Sequence, residues 1–282
     1  MNVLQAQALA EQLQGLSDSP ELDVELLLCH VLQRSRTFLF TRADYQLSDS
    51  ECARFTALLE RRKLGEPVAH LTGTRGFWTL DLEVNPSTLI PRPDTETLVE
   101  KALELIPATP ARVLDLGTGT GAIALSLAQE RPAWQVIAVD CVPDAAELAE
   151  RNRCRLNIRN AEVLLGSWFE PVNGRFEMIV SNPPYIDPED PHLLQGDVRF
   201  EPLSALTADD QGLADIRTIA SQARNYLQSE GVLLFEHGYD QAQAVQAILR
   251  SLGYDRIDSA QDLGGNDRIT WAIWTQTPDT GA

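Results

Sequence analysis

The sequence has few of the residues that build metal centres or disulfide frameworks. Its 282 residues include four cysteines and four histidines, and no two cysteines have Cys-x-x-Cys spacing. Neither a resident metal nor a set of disulfides is therefore expected. We expect the four cysteines to be small buried residues instead: Cys29, Cys52, Cys141 and Cys154.

Long apolar runs are also missing. No stretch is long enough to cross a bilayer, and no basic segment followed by an apolar one opens the chain. With 44% apolar residues the composition is that of an ordinary globular protein. These features predict a cytoplasmic protein without membrane contact.

Basic residues are scarce. Lys and Arg number 23 against 41 Asp and Glu, so the formal net charge is −18. Such a chain is repelled by nucleic acid unless a local basic patch intervenes, and we expect no nucleic-acid partner. The charge is uneven, because residues 1–75 carry a net charge of only −2. This asymmetry predicts a separate N-terminal module.

Helix signals fill residues 1–72. The segment SPELDVELLLCHVLQ (19–33) has a Ser-Pro start and leucines at helical spacing. Ser48 and Glu51 form a capping-box pattern for a second long helix. The basic cluster Arg61–Lys63 is predicted to be the solvated last turn of that helix. We predict a small all-helical domain without catalytic residues.

Strand signals begin after this segment. Residues 73–92 alternate apolar and polar residues around a turn signal at 85–87, which predicts a β-hairpin linker. Residues 93–282 alternate short apolar strands with amphipathic helices, a pattern typical of a mostly parallel, doubly covered sheet. The predicted strands are ARVLDL, QVIAVD, AEVLLG, FEMIV, GVLLFEH and RITWAIW. The C-terminal end, residues 275–282, is predicted to fray.

A glycine loop joins the first of these strands to its helix. In VLDLGTGTGAIAL, the glycines Gly117, Gly119 and Gly121 permit sharp turns and close approach of a ligand. Asp140, nineteen residues after Gly121, ends the next strand, where a carboxylate can bind ribose hydroxyls. The pair predicts a nucleoside-containing cofactor. Asp115 either orients this loop or the ligand's amino group, or caps its own strand end.

A second motif, SNPPY, follows the apolar run FEMIV. A carboxamide nitrogen is a poor nucleophile, so an enzyme that methylates it must hold both of its N–H groups. The side-chain oxygen of Asn182 and the carbonyl of Pro183 offer two adjacent acceptors, and the prolines add no competing N–H donor. Tyr185 offers a flat face for a planar amide or a base. An ordinary proline-containing turn is the alternative.

These motifs together resemble the PrmC/HemK family of glutamine-N5 methyltransferases, over nearly the whole chain. The matching segments are GEPVAHLTG (65–73), LIPRPDTE (89–96), VLDLGTGTGAIAL (113–125), IVSNPPYI (179–186) and DVRFEPLSAL (197–206). The resemblance implies a class I S-adenosylmethionine-dependent methyltransferase: a Rossmann-like α/β domain with a mostly parallel seven-stranded sheet, a helical N-terminal domain and a hairpin linker. The protein substrate would dock on the helical domain.

The resemblance also implies a reaction and a set of site residues. The methyl acceptor would be the glutamine amide of the Gly-Gly-Gln motif in peptide chain release factors, and S-adenosyl-L-homocysteine the second product. The implied cofactor-binding residues are Gly117, Thr118, Gly119, Thr120, Gly121, Asp140, Trp168 and Asn182. The implied substrate-binding residues are Asn182, Pro183, Pro184, Tyr185 and Arg92, with Asn182, Pro183 and Tyr185 catalytic.

Some positions depart from the family pattern. Ser167 stands before Trp168 where relatives often carry an acid, and the loop TADDQGL (207–213) is poor in glycine. We interpret His237 as a strand-end structural residue, and Arg199 with Glu201 as a brace for the loop over the site.

Two other functions stay open from the sequence. An adenine-N6 methyltransferase acting on DNA or RNA can use the same SNPPY groups, although the acidic net charge disfavours it. A non-catalytic nucleoside-binding module is the third hypothesis. A monomer is expected.

Overall fold

The computed structural model of the chain describes residues 1–275, so residues 276–282 of the predicted frayed end lie outside the described residues. The chain forms two compact units. The first comprises Met1–Thr74 together with Pro191–Phe200, and the second comprises Arg75–Asp190 together with the chain from Glu201 onward. The segment 191–200 lies in sequence between two parts of the second unit, yet it packs with the first.

The first unit is helical. Its helices are α1 (Val3–Gln7), α2 (Pro20–Leu32), α3 (Arg36–Thr41), α4 (Asp49–Lys63) and α5 (Val68–Thr72). Apolar residues at helical spacing on α2 and α4 share one core, which includes Leu27, Leu28, Phe55 and Leu59. The predicted capping box of α4 is confirmed, since Ser48 and Glu51 exchange both of its hydrogen bonds.

The expectation of a fully solvated basic turn at the end of α4 is wrong at Arg62. Its side chain is 7% exposed, and it donates to Asp23 of α2 at 2.7 Å and to Asp197 at 2.9 Å. Helical spacing turns Arg62 toward the core while Arg61 and Lys63 face outward. A buried guanidinium is retained here because two carboxylates and backbone carbonyls satisfy its donors.

The linker hairpin turns at a different place from the predicted one. Strands β1 (Thr74–Phe77) and β2 (Leu80–Glu83) form a two-stranded sheet, and the two residues between them are Trp78 and Thr79. Trp78 takes a left-handed φ of 55°, which closes this short turn without glycine. The Asn-Pro-Ser signal at 85–87 instead follows the second strand.

The second unit is built on a seven-stranded sheet with the order β5-β4-β3-β6-β7-β9-β8. The neighbours from β5 to β7 are parallel, whereas β9 pairs antiparallel with both β7 and β8. The strands are β3 (Arg112–Leu116), β4 (Gln135–Asp140), β5 (Ala161–Leu165), β6 (Phe176–Ser181), β7 (Leu227–Glu236), β8 (Asp255–Gln261) and β9 (Asp267–Trp274). The predicted fold class is confirmed. Of the seven strands, only polar β8 was absent from the strands read off the sequence.

Helices cover both faces of this sheet. They are α6 (Glu96–Leu105), α7 (Ala122–Glu130), α8 (Pro143–Arg155), α9 (Asp209–Gly212), α10 (Ala214–Ala223) and α11 (Ala242–Ser251). Because side chains alternate along a strand, Val113 and Leu114 of β3 enter two different cores. The first core includes α6 and α7, and the second includes α10 and α11. This layering brings the carboxyl ends of β3 to β6 to one edge of the sheet.

In residues 1–275, no helix combines the length and apolar character needed to cross a membrane, and no cluster of three metal-ligating side chains occurs. All four cysteines are free thiols. The expectation that they are buried is wrong: Cys29 and Cys52 are half-buried, and Cys141 and Cys154 are exposed, just after β4 and on α8.

Replacing Arg62 with Met should destabilise the helical unit. The change leaves Asp23 buried without its cation, so we expect a loss of about 3–5 kcal/mol of unfolding free energy. Arg61→Met is the matched control, since the exposed pair of Arg61 with Glu66 is worth at most about 1 kcal/mol. Urea unfolding followed by far-UV circular dichroism measures both. Equal losses in the two variants would contradict the buried network.

Candidate active site

The second unit holds a cavity of about 340 Å³ at the carboxyl ends of β3, β4, β5 and β6. Eight predicted site residues line it, namely Gly117, Thr118, Gly119, Thr120, Asp140, Trp168, Asn182 and Pro184. Within the described chain, Gly121, Pro183, Tyr185 and Arg92 lie outside this lining. The strand ends thus bring the glycine loop, the acid that ends β4 and the SNPPY motif to one cavity.

The glycine loop is held by strand β4. The backbone N–H groups of Gly117 and Thr118 both donate to the Val139 carbonyl, at 2.9 and 3.0 Å. Gly121 precedes α7 with a φ of +84°, and a Cβ there would lie 2.9 Å from Leu125. Only glycine fits this turn without strain, which explains the third glycine of the motif.

The carboxylate of Asp140 braces the same loop. Its Oδ2 accepts from the Gly119 N–H at 2.8 Å, and its Oδ1 accepts from the Val142 N–H at 2.9 Å. Burial raises the pKa of Asp140, while these backbone donors lower it. Each carboxylate oxygen keeps a second lone pair, so the bracing leaves acceptors for a diol.

Asp115 orients the loop from beneath. Its Oδ2 accepts from the Thr118 hydroxyl at 2.6 Å and from the Ala124 N–H, in the first turn of α7, at 3.2 Å. Its Oδ1 has no hydrogen-bond partner among residues 1–275. Burial raises the pKa of this carboxyl to about 7. The sequence left several roles open for Asp115, and these contacts support the one in which it orients the glycine loop.

Trp168 forms a flat wall beside the loop. Its ring would lie 3.6 Å from a Cβ placed on Gly117, so the absence of a side chain there keeps the ring face accessible. Ser167 also lines the cavity. Its backbone N–H donates to Glu170 at 3.3 Å. Trp168, Ser167 and Asp215 thus all line the same cavity.

The SNPPY motif leaves β6 with its side chains tied to neighbouring segments. Asn182 Nδ2 donates to the Thr95 hydroxyl at 3.3 Å, which leaves Oδ1 to accept from a ligand. Of the described residues, none donates to the Pro183 carbonyl. The Tyr185 hydroxyl lies 3.4 Å from Oε1 of Glu236. Neither of the two acceptors predicted from the sequence is occupied by a donor in residues 1–275.

Arg92, which we predicted to line the site, lies outside the cavity lining and pairs with a buried carboxylate. Its Nη2 contacts both carboxylate oxygens of Glu201 at 2.7 Å, and Glu201 also accepts from the Ile90 N–H at 3.2 Å. This pair ties LIPRP to the glutamate of RFEP, which supports the interpretation of Glu201 as a brace. Arg199 belongs to the first unit, where it donates to the Leu64 carbonyl.

His237 is a structural residue in this arrangement, as we interpreted it. It is fully buried, with Nδ1 2.8 Å from the Gly238 carbonyl and Nε2 2.8 Å from the Thr270 hydroxyl. A carbonyl only accepts, so Nδ1 carries the proton and Nε2 accepts from Thr270. Burial lowers the pKa of His237. Both nitrogens are occupied, so no base is offered to the cavity.

The loop TADDQGL supports Tyr185 from behind. Ile186 exchanges backbone hydrogen bonds with Leu206 and Ala208, at 2.9 and 3.1 Å. Gly212 has a φ of +81°, and a Cβ there would collide with the Tyr185 carbonyl. Asp210 and Gln211 take left-handed angles in place of the missing glycines. In the structure this loop positions the SNPPY backbone.

Two residues of the site were missed from the sequence. Thr95 lies within the quoted segment LIPRPDTE, and Glu236 precedes the considered His237, yet neither was assigned a role. Their signal is weak, because a Thr in a turn and a Glu at a strand end are common. Only the packing shows that both are buried beside SNPPY.

The chain is similar to known methyltransferases. Family models described as "PrmC N-terminal domain" and "Methyltransferase small domain" match residues 5–73 and 94–195. A release factor glutamine methyltransferase of Escherichia coli K12 is 56% identical over 94% of this chain and 96% of its own length. That of Vibrio cholerae is 56% identical over 93% of each. A methyltransferase structure from Pyrococcus furiosus, at 18% identity, covers 78% of this chain and 98% of its own with a TM-score of 0.55, which supports the fold alone.

Replacing Gly212 with Ala should destabilise the second unit more than replacing Gly265. Both glycines have nearly equal φ, +81° and +79°, but only Gly212 faces the Tyr185 carbonyl, while the space around Gly265 is open. The left-handed angle costs each variant about 1–2 kcal/mol, and overpacking adds roughly 1–3 kcal/mol at Gly212.

Urea unfolding followed by tryptophan fluorescence measures the difference, since all five tryptophans lie in the second unit. Equal stability of the two variants would mean that the Tyr185 carbonyl does not pack closely against Gly212.

Proposed function

The chain belongs to the family of release factor glutamine methyltransferases, and we propose that it methylates the side-chain amide of a glutamine in a bacterial release factor. The methyl donor is S-adenosylmethionine and the acceptor is the glutamine of the Gly-Gly-Gln motif. One observation carries the proposal. Asn182, just after β6, lines the same cavity as the glycine loop and Asp140, and its Nδ2 already donates a hydrogen bond to Thr95.

The cavity fits a nucleoside-containing methyl donor. The loop 117–121 can approach the amino-acid end closely because its glycines carry no Cβ. Asp140 keeps free lone pairs for ribose hydroxyls, and the ring of Trp168 offers a face to the adenine. The Oδ1 of Asp115, which has no hydrogen-bond partner in residues 1–275, is a buried acceptor at the same loop. When bound, S-adenosylmethionine supplies a methyl group on a positively charged sulfur.

The chain's own residues do the positioning. Asn182 Oδ1 and the Pro183 carbonyl accept the two N–H groups of the glutamine amide, which holds its nitrogen at one distance and angle. The ring of Tyr185 supports the planar amide, and Asn182 also borders the cofactor cavity. Because the amide nitrogen and the methyl group are already held in line, little further entropy is lost during the reaction. The positive charge on the sulfur is dispersed as the methyl group moves. The amide proton becomes acidic after transfer, so no dedicated base is needed.

Labelling a release factor with radioactive methyl groups tests the substrate. We expect the purified chain to transfer label from S-adenosylmethionine to a bacterial release factor, and the label to disappear when the Gly-Gly-Gln glutamine is changed to Ala. The reason is that the two acceptors at Asn182 and Pro183 require a primary amide. Label retained on the Ala variant would defeat the assignment, and transfer to adenine in DNA or RNA would favour the rival methyltransferase.

Replacing Asn182 with Ala should lower kcat by at least about 100-fold. The variant loses one of the two acceptors, while the glycine loop and Asp140 remain, so the Kd for S-adenosylmethionine should change little. Calorimetry measures binding, and initial rates measure turnover. Asn225→Ala, an exposed asparagine after α10, is the matched control and should behave as the unchanged protein. An active Asn182→Ala would remove Asn182 from the mechanism.

The monomeric state and the cytoplasmic location remain predictions from the sequence.

A further inference from the structure

The segment 84–91, between the linker hairpin and α6, forms one wall of the cavity. It contains the Asn-Pro-Ser signal at 85–87, which follows the hairpin instead of closing it. Asn85 Oδ1 accepts from the N–H of Ser87 at 2.9 Å and from its hydroxyl at 2.5 Å. This Asx-type turn leads the chain into the cavity wall. Four residues of the segment line the cavity: Ser87, Thr88, Leu89 and Pro91.

Contacts at both ends of the segment fix it against the glycine loop. Asn152 of α8 is fully buried and accepts from the Glu83 N–H at 2.7 Å. Its Nδ2 donates to the carbonyls of Glu83 at 2.9 Å and of Thr120 at 3.0 Å. At the other end, the Ile90 N–H donates to Glu201 at 3.2 Å. One asparagine thus joins the start of the segment to the backbone of the loop.

Thr88 lies between these anchors and packs on the loop. Its Cβ and its methyl carbon lie 3.8 and 4.0 Å from the position of a Cβ on Gly119. The residue is 2% exposed, and its hydroxyl has no hydrogen-bond partner in residues 1–275. A buried hydroxyl is costly to leave unpaired, so a ligand that pairs with it gains affinity.

The glycine loop has few donors of its own for an anion. The N–H groups of Gly117 and Thr118 donate to a carbonyl of β4. That of Gly119 donates to Asp140, and that of Gly121 donates to a carbonyl of the loop. The carboxylate of Asp140 lies in the same lining and repels an anion. An anionic group beside the loop therefore gains from a donor outside it.

We propose that Thr88 is a further cofactor-binding residue, whose hydroxyl donates a hydrogen bond to the carboxylate at the amino-acid end of S-adenosylmethionine. The inference rests on the methyl donor of the proposed function and not on the release factor. The hydroxyl and methyl groups of threonine exchange places by rotation about one bond, so the oxygen can lie beside Gly119. A hydrogen bond to a carboxylate is stronger than one between neutral groups.

Replacing Thr88 with Val tests the inference on the purified chain, without a release factor. Val keeps the size and branching of Thr but has no hydroxyl, so the Kd for S-adenosylhomocysteine should rise roughly 10–100-fold. Thr88→Ser keeps the hydroxyl and should stay within about 3-fold of the unchanged protein. Isothermal titration calorimetry measures each Kd. Thr37→Val, at an exposed threonine of α3, is the matched control and should bind as the unchanged protein does.

A second ligand separates the hydrogen bond from packing. Decarboxylated S-adenosylhomocysteine keeps the nucleoside and the amino group but lacks the carboxylate, so Thr88→Val should bind it as tightly as the unchanged protein does. Equal losses for the two ligands, or an unchanged Kd for S-adenosylhomocysteine in Thr88→Val, would overturn the inference. If Thr88→Val does not fold, Thr88→Ala decides the question by the same comparison of the two ligands.

This failure and that of the proposed function are distinguishable. A chain that binds S-adenosylhomocysteine but labels no release factor would lose the substrate assignment alone, and the comparison of the two ligands would still decide the role of Thr88. A chain that binds no S-adenosylhomocysteine would overturn both the proposed methyl donor and the inference.

Discussion

A carboxamide nitrogen reacts only when it is held, because its lone pair is delocalised into the carbonyl. The site must therefore offer two acceptors to the two N–H groups, and those acceptors must not be occupied by donors of the protein. Proline at 183 and 184 removes two such donors, and Thr95 occupies the NH₂ group of Asn182. The rest of the site keeps this small arrangement in place.

The fold supplies the rigidity that such positioning needs. Parallel strands deliver the glycine loop, Asp140 and SNPPY to one edge, where buried cores on both faces of the sheet fix the strand ends. The backbone after β6 is then held by the loop before α10, where Gly212 passes against the Tyr185 carbonyl. Arg92 and Glu201 join two further segments of the same unit. Irregular segments thus obtain fixed positions from contacts that are far apart in sequence.

Local patterns were predictable from the sequence, and distant pairings were not. The capping box at Ser48 and the glycine loop depend on residues within one or two turns, so their spacing reveals them. Arg62 was assigned to solvent because its partners are 39 and 135 residues away. Glu236 was passed over for the same reason, since Tyr185 is 51 residues away. Burial of a charged group is decided by tertiary packing, which periodicity does not record.

Two buried carboxyl groups at this site carry a cost in stability. Asp115 and Glu236 each keep one oxygen without a partner in residues 1–275, and burial raises both pKa values to about 7, from 3.8 and 4.5. Below the pKa values that the two groups have in the unfolded chain, both are protonated in either state and their burial carries no penalty for ionisation. Between those values and about pH 7 the free energy of unfolding falls as the pH rises, because the unfolded chain releases these protons first. A core selected for stability alone would replace such groups with apolar ones. At these positions they supply acceptors that apolar residues would lack, Asp115 to Thr118 of the glycine loop and Glu236 to the Tyr185 hydroxyl.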